Sequence, residues 1–211
     1  MSARGRRQVA KRGYTIVELV MSLAVLAIGA SGVIAMQKVA ISSNRHAKEM
    51  AIATRIAEGW ADQLALDGAI WTTIAGNSTI ASTTWLNLAN PSQTVEWFGP
   101  AYDPARNYGA AFNALGDPID PAQRPDLIRY CAQLRFAYLH TSTAPTVGHG
   151  VIRAQIRVFW QAEDASLQVY AAANARTCEV APGDFTALLP AMNVIYLTTS
   201  VAQTTMGLVP Q

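Results

Sequence analysis

Residues Leu19 to Met36 form an uncharged, predominantly apolar run of 18 residues. As a helix rising about 1.5 Å per residue, that run is long enough to cross the hydrocarbon core of a bilayer. Five basic side chains, Arg4, Arg6, Arg7, Lys11 and Arg12, precede it, and the first thirteen residues contain no acid. Such charge placement keeps the N-terminus cytoplasmic and sends the remainder outward. Without that basic piece, eleven basic and fourteen acidic side chains remain. The formal charge of +2 therefore does not describe a basic domain, and nothing global points to nucleic acid.

A secretory signal peptide has the same charge-then-apolar order. Here the apolar run is longer than a usual signal core, and no small-x-small cleavage site with a helix break follows it. A helical pattern continues instead for roughly thirty residues. Glu18 stands at the very edge of the run, where a carboxylate entering hydrocarbon is costly unless paired, and this makes it a functional candidate.

The segment Arg12-Gly13-Tyr14-Thr15-Ile16-Val17-Glu18-Leu19 resembles the class III signal of type IV prepilins. That signal is a short basic leader ending in Gly, an aromatic residue (usually Phe, here Tyr14), and a Glu as fifth residue of the mature chain. The resemblance implies cleavage between Gly13 and Tyr14 by a membrane prepilin peptidase and N-methylation of Tyr14. It also implies that Glu18 pairs with the α-amine of a neighbouring subunit, setting axial register more than adding stability. The plainer alternative is a single-pass anchor whose Glu18 snorkels to the interface. The implied architecture is α+β: the type IV pilin fold, a long N-terminal α-helix packed on an antiparallel β-sheet head.

Past the membrane run, Ile52, Ile56, Trp60 and Leu64 recur every four residues, while Arg45, Lys48, Glu49, Arg55, Glu58 and Asp62 face elsewhere. No proline interrupts Tyr14 to Leu66, and Asp67-Gly68 reads as a C-cap. The expected division is a cleaved leader at 1–13, a long helix at 14–67 and a periplasmic head at 68–211. The helix comprises a transmembrane, filament-core half at 14–37 and an amphipathic half at 38–67. Gly29, Ser31 and Gly32 favour close helix packing; in the family, local melting on assembly is the alternative.

Within the head, 68–126 reads as a helix-to-sheet loop region, rich in Thr, Asn, Gly and Pro. Trp71, Trp85, Trp97, Phe98 and Tyr102 there are a candidate interaction loop, or side chains that pin the segment to the sheet. Asp117, Asp120 and Asp126 match no calcium-loop spacing. The region 127–211 reads as an antiparallel sheet with a C-terminal loop. Its alternating segments are Leu127 to Leu139 and Val151 to Trp160, with Leu167 to Ala172 and Val194 to Val201 as further strands. Ile128, Tyr130, Ala132, Leu134, Phe136 and Tyr138 share the core face, and Arg129, Gln133, Arg135, Arg153 and Arg157 share a solvated one. Cys131 falls on the arginine face. In an exported head it suits a disulfide to Cys178, holding the 173–190 loop across the outer side of the sheet. In a cytosolic one, both are ordinary small residues.

The run Leu26-Ala27-Ile28-Gly29, with Gly32 and Ala35-Met36-Gln37, and Ala61-Asp62-Gln63-Leu64 in the later helix, is similar to PilV-type minor pilins. The implied protein primes assembly and sits at the filament tip, supporting pilus extension, adhesion or twitching motility. The implied partners are the inner membrane, the prepilin peptidase, other minor pilins, the major pilin and a tip adhesin. The implied location is the bacterial inner membrane, single-pass, and then the extracellular filament. A minor pseudopilin of type II secretion is the first alternative. A membrane-anchored periplasmic binding or DNA-uptake protein is an alternative of another class, resting on the four arginines. No enzyme, cofactor, metal or nucleic-acid partner is expected: His46, His140 and His149 form no triad or ligand spacing.

Overall fold

In the computed structural model, the residues described are 13, 15–71, 80–89, 96–140, 150–162, 178–180 and 182–203. Residues 1–12 of the expected leader, Tyr14, the strand candidate Leu167 to Ala172 and His149 lie outside them. The chain divides into two units, Met1–Lys48 and Glu49–Gln211.

The first unit is built by one helix, α1, which runs Ile16–Trp71 and continues into the second unit. Thr15 starts it. The Thr15 hydroxyl accepts the Glu18 N–H at 3.3 Å and its carbonyl accepts the Leu19 N–H at 3.2 Å. A Thr ahead of the first turn with a Glu three residues on is the capping-box pattern, which satisfies otherwise orphaned N–H groups. Gly29 and Gly32 sit in unbroken helix with nothing within 4 Å of a Cβ added at either.

In the second unit, α1 buries Ala53, Ile56, Ala57, Trp60, Leu64 and Trp71, continuing the four-residue stripe read from the sequence. The helix does not stop at Asp67-Gly68. Both residues are buried inside it, and it ends at Trp71. The expected C-cap fails because the Asp67 carboxylate serves a distant segment instead of its own helix end. It accepts the backbone N–H groups of Trp85 at 2.5 Å and Leu86 at 3.0 Å. Gly68 lets a strand approach, since a Cβ there would lie 2.4 Å from Val201 Cγ1.

The sheet is antiparallel in the order β1-β2-β3-β4. Its strands are β1 (Ala111–Phe112), β2 (Tyr130–His140), β3 (Val151–Gln161) and β4 (Met192–Ala202). Tyr130, Ala132, Leu134, Phe136, Ile152, Ala154, Ile156, Val158 and Trp160 form one core with the buried face of α1, the face that period-two alternation assigns them. β2 starts later than expected, because Pro125–Leu127 is a 3₁₀ turn. Ile128 therefore leaves the inner face and packs against a second cluster.

That second cluster lies on the sheet's other face, where solvated arginines beneath the 173–190 loop were expected. Cys131, Phe159, Cys178, Val180, Phe185, Leu188 and Met192 pack together with Ala110 and Ala111. A short helix, α2 (Pro182–Leu188), and the 3₁₀ turn Leu189–Ala191 replace part of the expected loop. The continuous apolar run Val158-Phe159-Trp160 carries this information, since a strand buried on both faces loses its alternation.

Candidate functional site

At the start of α1, Gly13 and Thr15 are exposed outside the helix and Glu18 lies in its first turn. Among the described residues, the Glu18 carboxylate has no ion-pair partner. The apolar residues of this part of α1 are exposed on every side of the helix: Ile16 is 83% exposed, Leu23 56% and Ile28 74%. A helix apolar all round is stable only when lipid or other helices cover it. A window of α1 near the N-terminus is long and apolar enough to cross a membrane, with mean hydropathy 2.3 and none of it buried.

Where α1 meets the sheet, two acids hold the unit together. Glu49 Oε1 accepts Arg129 Nη2 at 3.0 Å and Glu49 Oε2 accepts the Trp160 indole N–H at 3.1 Å. Arg129 thus turns to the helix side rather than to the arginine face assigned from alternation. Asp67 Oδ1 lies 2.9 Å from Arg106 Nη2. The sequence held a signal for Asp67: it falls seven residues after Trp60 and three after Leu64, on the apolar stripe itself.

The outer-face arginines separate. Arg157 is 4% exposed. Its Nε donates to Gln133 Oε1 at 2.7 Å and its Nη2 donates to the same oxygen. Gln133 Nε2 in turn donates to the Cys178 carbonyl at 2.8 Å. The guanidinium stacks 3.6 Å from the Phe185 ring centroid and 4.5 Å from that of Trp97. Burial pulls Arg157 down to about 10, opposed by Tyr196 and assisted by Arg135. Of the four arginines read as a solvated face, one is ion-paired to the helix and one is enclosed. Arg153 is exposed and Arg135 half-buried.

Cys131 and Cys178 form a disulfide with Cα atoms 5.3 Å apart. It holds the 178–180 segment on the outer face, the arrangement expected of an exported head. The candidate interaction aromatics divide. Trp71 lies at the helix end and is buried, as is Trp85, which meets Trp60 edge-on at 5.2 Å. Their role is packing, not display. Phe98 packs on Phe136 at 5.6 Å, and Trp97 and Tyr102 are half-buried. Asp117 and Asp120 are spent on local bonds, to Asn113 Nδ2 at 3.2 Å and to the Ala122 N–H at 2.9 Å. Among the described residues, no group of three or more His, Cys, Asp or Glu side chains could hold a metal ion. His46 is exposed on α1, and His140 closes β2.

A family model for the prokaryotic N-terminal methylation motif matches residues 9–34. The match covers Lys11, Arg12, the Gly13–Glu18 segment and most of the apolar run. No curated protein and no solved structure gives a significant match. The motif is consistent with a type IV pilin- or pseudopilin-like protein, and the long apolar helix followed by a four-stranded antiparallel sheet is an α+β architecture matching the pilin fold. Such a motif marks a membrane-associated substrate of a prepilin peptidase, and the apolar helix fits anchoring in the inner membrane.

Proposed function

We propose that the protein is a minor pilin of a type IV pilus. In this reading the prepilin peptidase cuts between Gly13 and Tyr14 on the cytoplasmic side, and the new N-terminus is methylated on Tyr14. The subunit then leaves the inner membrane with other minor pilins to prime a filament of the major pilin, carrying its head at the tip beside an adhesin. Residues from 14 to about 37 form the filament core, and the head faces the periplasm and then the exterior.

The observation that carries this reading is the junction at residues 13–18. A glycine outside the helix gives a peptidase an unhindered extended backbone. Two residues after the cut, the Thr15 cap begins a helix that is apolar on every side. The new α-amine and the N-terminal end of the helix dipole are both positive and enter low dielectric together. Glu18, in the first turn, supplies the negative charge this arrangement needs. Pairing with a neighbour's amine then fixes how far one helix slides along the next, because any other register leaves charge unpaired in hydrocarbon.

Intact-mass measurement of the membrane-extracted chain, with and without its prepilin peptidase, tests the processing. The expected result is loss of residues 1–13 and gain of one methyl group, only when the peptidase is present. An uncut chain, or a cut well beyond residue 18, overturns the reading. Glu18→Val should leave cleavage intact while removing the chain from sheared filaments. Normal incorporation of that variant would exclude the register role.

A further inference from the structure

The outer layer of the sheet encloses a cation, and one side chain joins that cation to the disulfide. Gln133 and Arg157 are Cα partners across β2 and β3, and Gln133 is fully buried. Cys131, two residues earlier on β2, shares their face. The Gln133 amide is used at both ends. Its Nε2 donates to the Cys178 carbonyl at 2.8 Å and reaches the Val180 carbonyl at 3.4 Å. Its Oε1 accepts Arg157 Nε at 2.7 Å and also Arg157 Nη2. Only the NH2 end of an amide can donate, so the carbonyls of the 178–180 segment fix which way Gln133 points. Turned over, it would present donors to a guanidinium that has only donors.

Neutral groups hold Arg157. An amide oxygen and the faces of Phe185 and Trp97 take the place of its water, and burial pulls its pKa down. A guanidinium in such surroundings regains hydration when they part, so the cover needs a fastening of its own. Val180, Phe185 and Leu188 pack with Cys131, Cys178 and Phe159, Phe185 lying edge-on to Phe159 at 5.2 Å. Cys178 has a φ of 59°, in the left-handed region that is unfavourable for a residue with a Cβ. Its carbonyl lies so near Gly99 that a Cβ added there would stand 2.9 Å from it. The covalent bond to Cys131 keeps Cys178 in this conformation, where its carbonyl meets Gln133.

We infer that the Cys131–Cys178 disulfide is a redox latch: through Gln133 it keeps Arg157 enclosed, and its reduction lets the cover of residues 178–180 and α2 part from the guanidinium. A dithiol reductant supplies two electrons and two protons, leaving two cysteine thiols, and is itself oxidised to a disulfide. Cys178 is then free to leave the left-handed region, its carbonyl withdraws from Gln133 Nε2, and Oε1 is no longer aimed at Arg157. The released guanidinium joins Arg153, four residues earlier on the same face of β3, and Arg135, two residues beyond Gln133 on β2. The two redox states therefore differ in the positive charge that this face displays. The inference does not depend on the pilin reading, since it uses only the sheet and the layer packed on its outer side.

The test uses the full-length chain in detergent micelles and phenylglyoxal, which modifies accessible arginines, with the modified sites read by peptide mass. In the disulfide-intact chain Arg153 should react quickly, and Arg157 and Arg106 slowly. Cys131→Ala with Cys178→Ala removes the latch and leaves the conformational demand at 178 unchanged. It should raise the Arg157 rate about tenfold, while Arg106, paired with Asp67 of α1, stays protected. The unmutated chain, reduced with dithiothreitol and separated from it without air, should behave in the same way. Gln133→Leu, with its disulfide verified by unreduced mass, should raise the Arg157 rate severalfold in the oxidised chain. Three results would overturn the inference: Arg157 equally protected in the oxidised and reduced chains, Arg106 released together with Arg157 on reduction, or Gln133→Leu leaving Arg157 as protected as before. The reduced chain carries no substitution, so misfolding of the alanine variant leaves the test intact.

Discussion

Asp67 and Arg106 face one another at 2.9 Å, Oδ1 to Nη2, the carboxylate side chain wholly buried and the guanidinium one-fifth exposed. Oδ2 of the same carboxylate takes the N–H groups of Trp85 and Leu86, and Arg106 Nη1 reaches Gln63 Oε1 at 3.4 Å. One aspartate inside α1 thus fixes both the 3₁₀ turn at Leu86–Leu88 and the Arg106 loop. Asp67→Ala strands two buried donors and a cation together, and should lower stability by about 3 kcal/mol. Asp67→Asn, which keeps an acceptor, should lose about half of that. Urea unfolding of the full chain, followed by tryptophan fluorescence, measures both. A loss under ~0.5 kcal/mol for the alanine variant would show that the contact does not hold the loop.

The disulfide closes a sequence separation of 47 residues and joins the two halves of the outer-face cluster. Chain entropy alone assigns it about 4 kcal/mol, an upper figure for a native cross-link. Replacing Cys131 and Cys178 together with serine should lower the denaturation midpoint strongly. It should also speed proteolysis in the 178–191 stretch before the α1-facing core opens. Equal proteolysis of both regions would contradict a separate outer cluster.

Gly68 and Val201 define how closely α1 lies on β4. Because an added Cβ would stand 2.4 Å from Val201 Cγ1, Gly68→Ala should cost about 1–3 kcal/mol through overpacking, although alanine is the better helix former. Adding Val201→Ala, which removes the clashing methyl, should restore most of that loss. Additive effects in the double variant would place the strain elsewhere.

Burial, and next the Asp62 carboxylate, push the Tyr108 phenol well above its ordinary value. The folded protein therefore keeps a proton that the unfolded chain releases above about pH 10. This contribution to stability is complete below the unfolded value and lost as pH climbs toward the folded one. Burial shifts Tyr130 and Tyr138 the same way. Tyr108→Phe should make the alkaline decline shallower by up to ~1.4 kcal/mol per pH unit above pH 10. Unfolding midpoints from pH 8 to 11.5 measure it, and parallel curves for the two proteins would refute it.

Local pattern determined much of this molecule. N-terminal basic charge, a membrane-length apolar run and a carboxylate at its edge are one-dimensional features, so the methylation motif and the apolar part of α1 needed only the sequence. The stripe Ile52, Ile56, Trp60, Leu64 and the inner faces of β2 and β3 followed from periodicity, which survives folding because one side of each element is dry. Tertiary structure alone decided the rest. Asp67-Gly68 looks like a helix stop until Trp85, Leu86 and Val201 arrive from elsewhere in the chain. Arg157 reads as a solvated strand residue until Trp97 and Phe185 close over it. Trp71 and Trp85 read equally as an interaction surface or as packing pins, and only their burial in the core separates the two. The three cases have the same physical origin: helix caps, strand faces and aromatic burial are set by which segment covers them, and that segment lies far away in sequence.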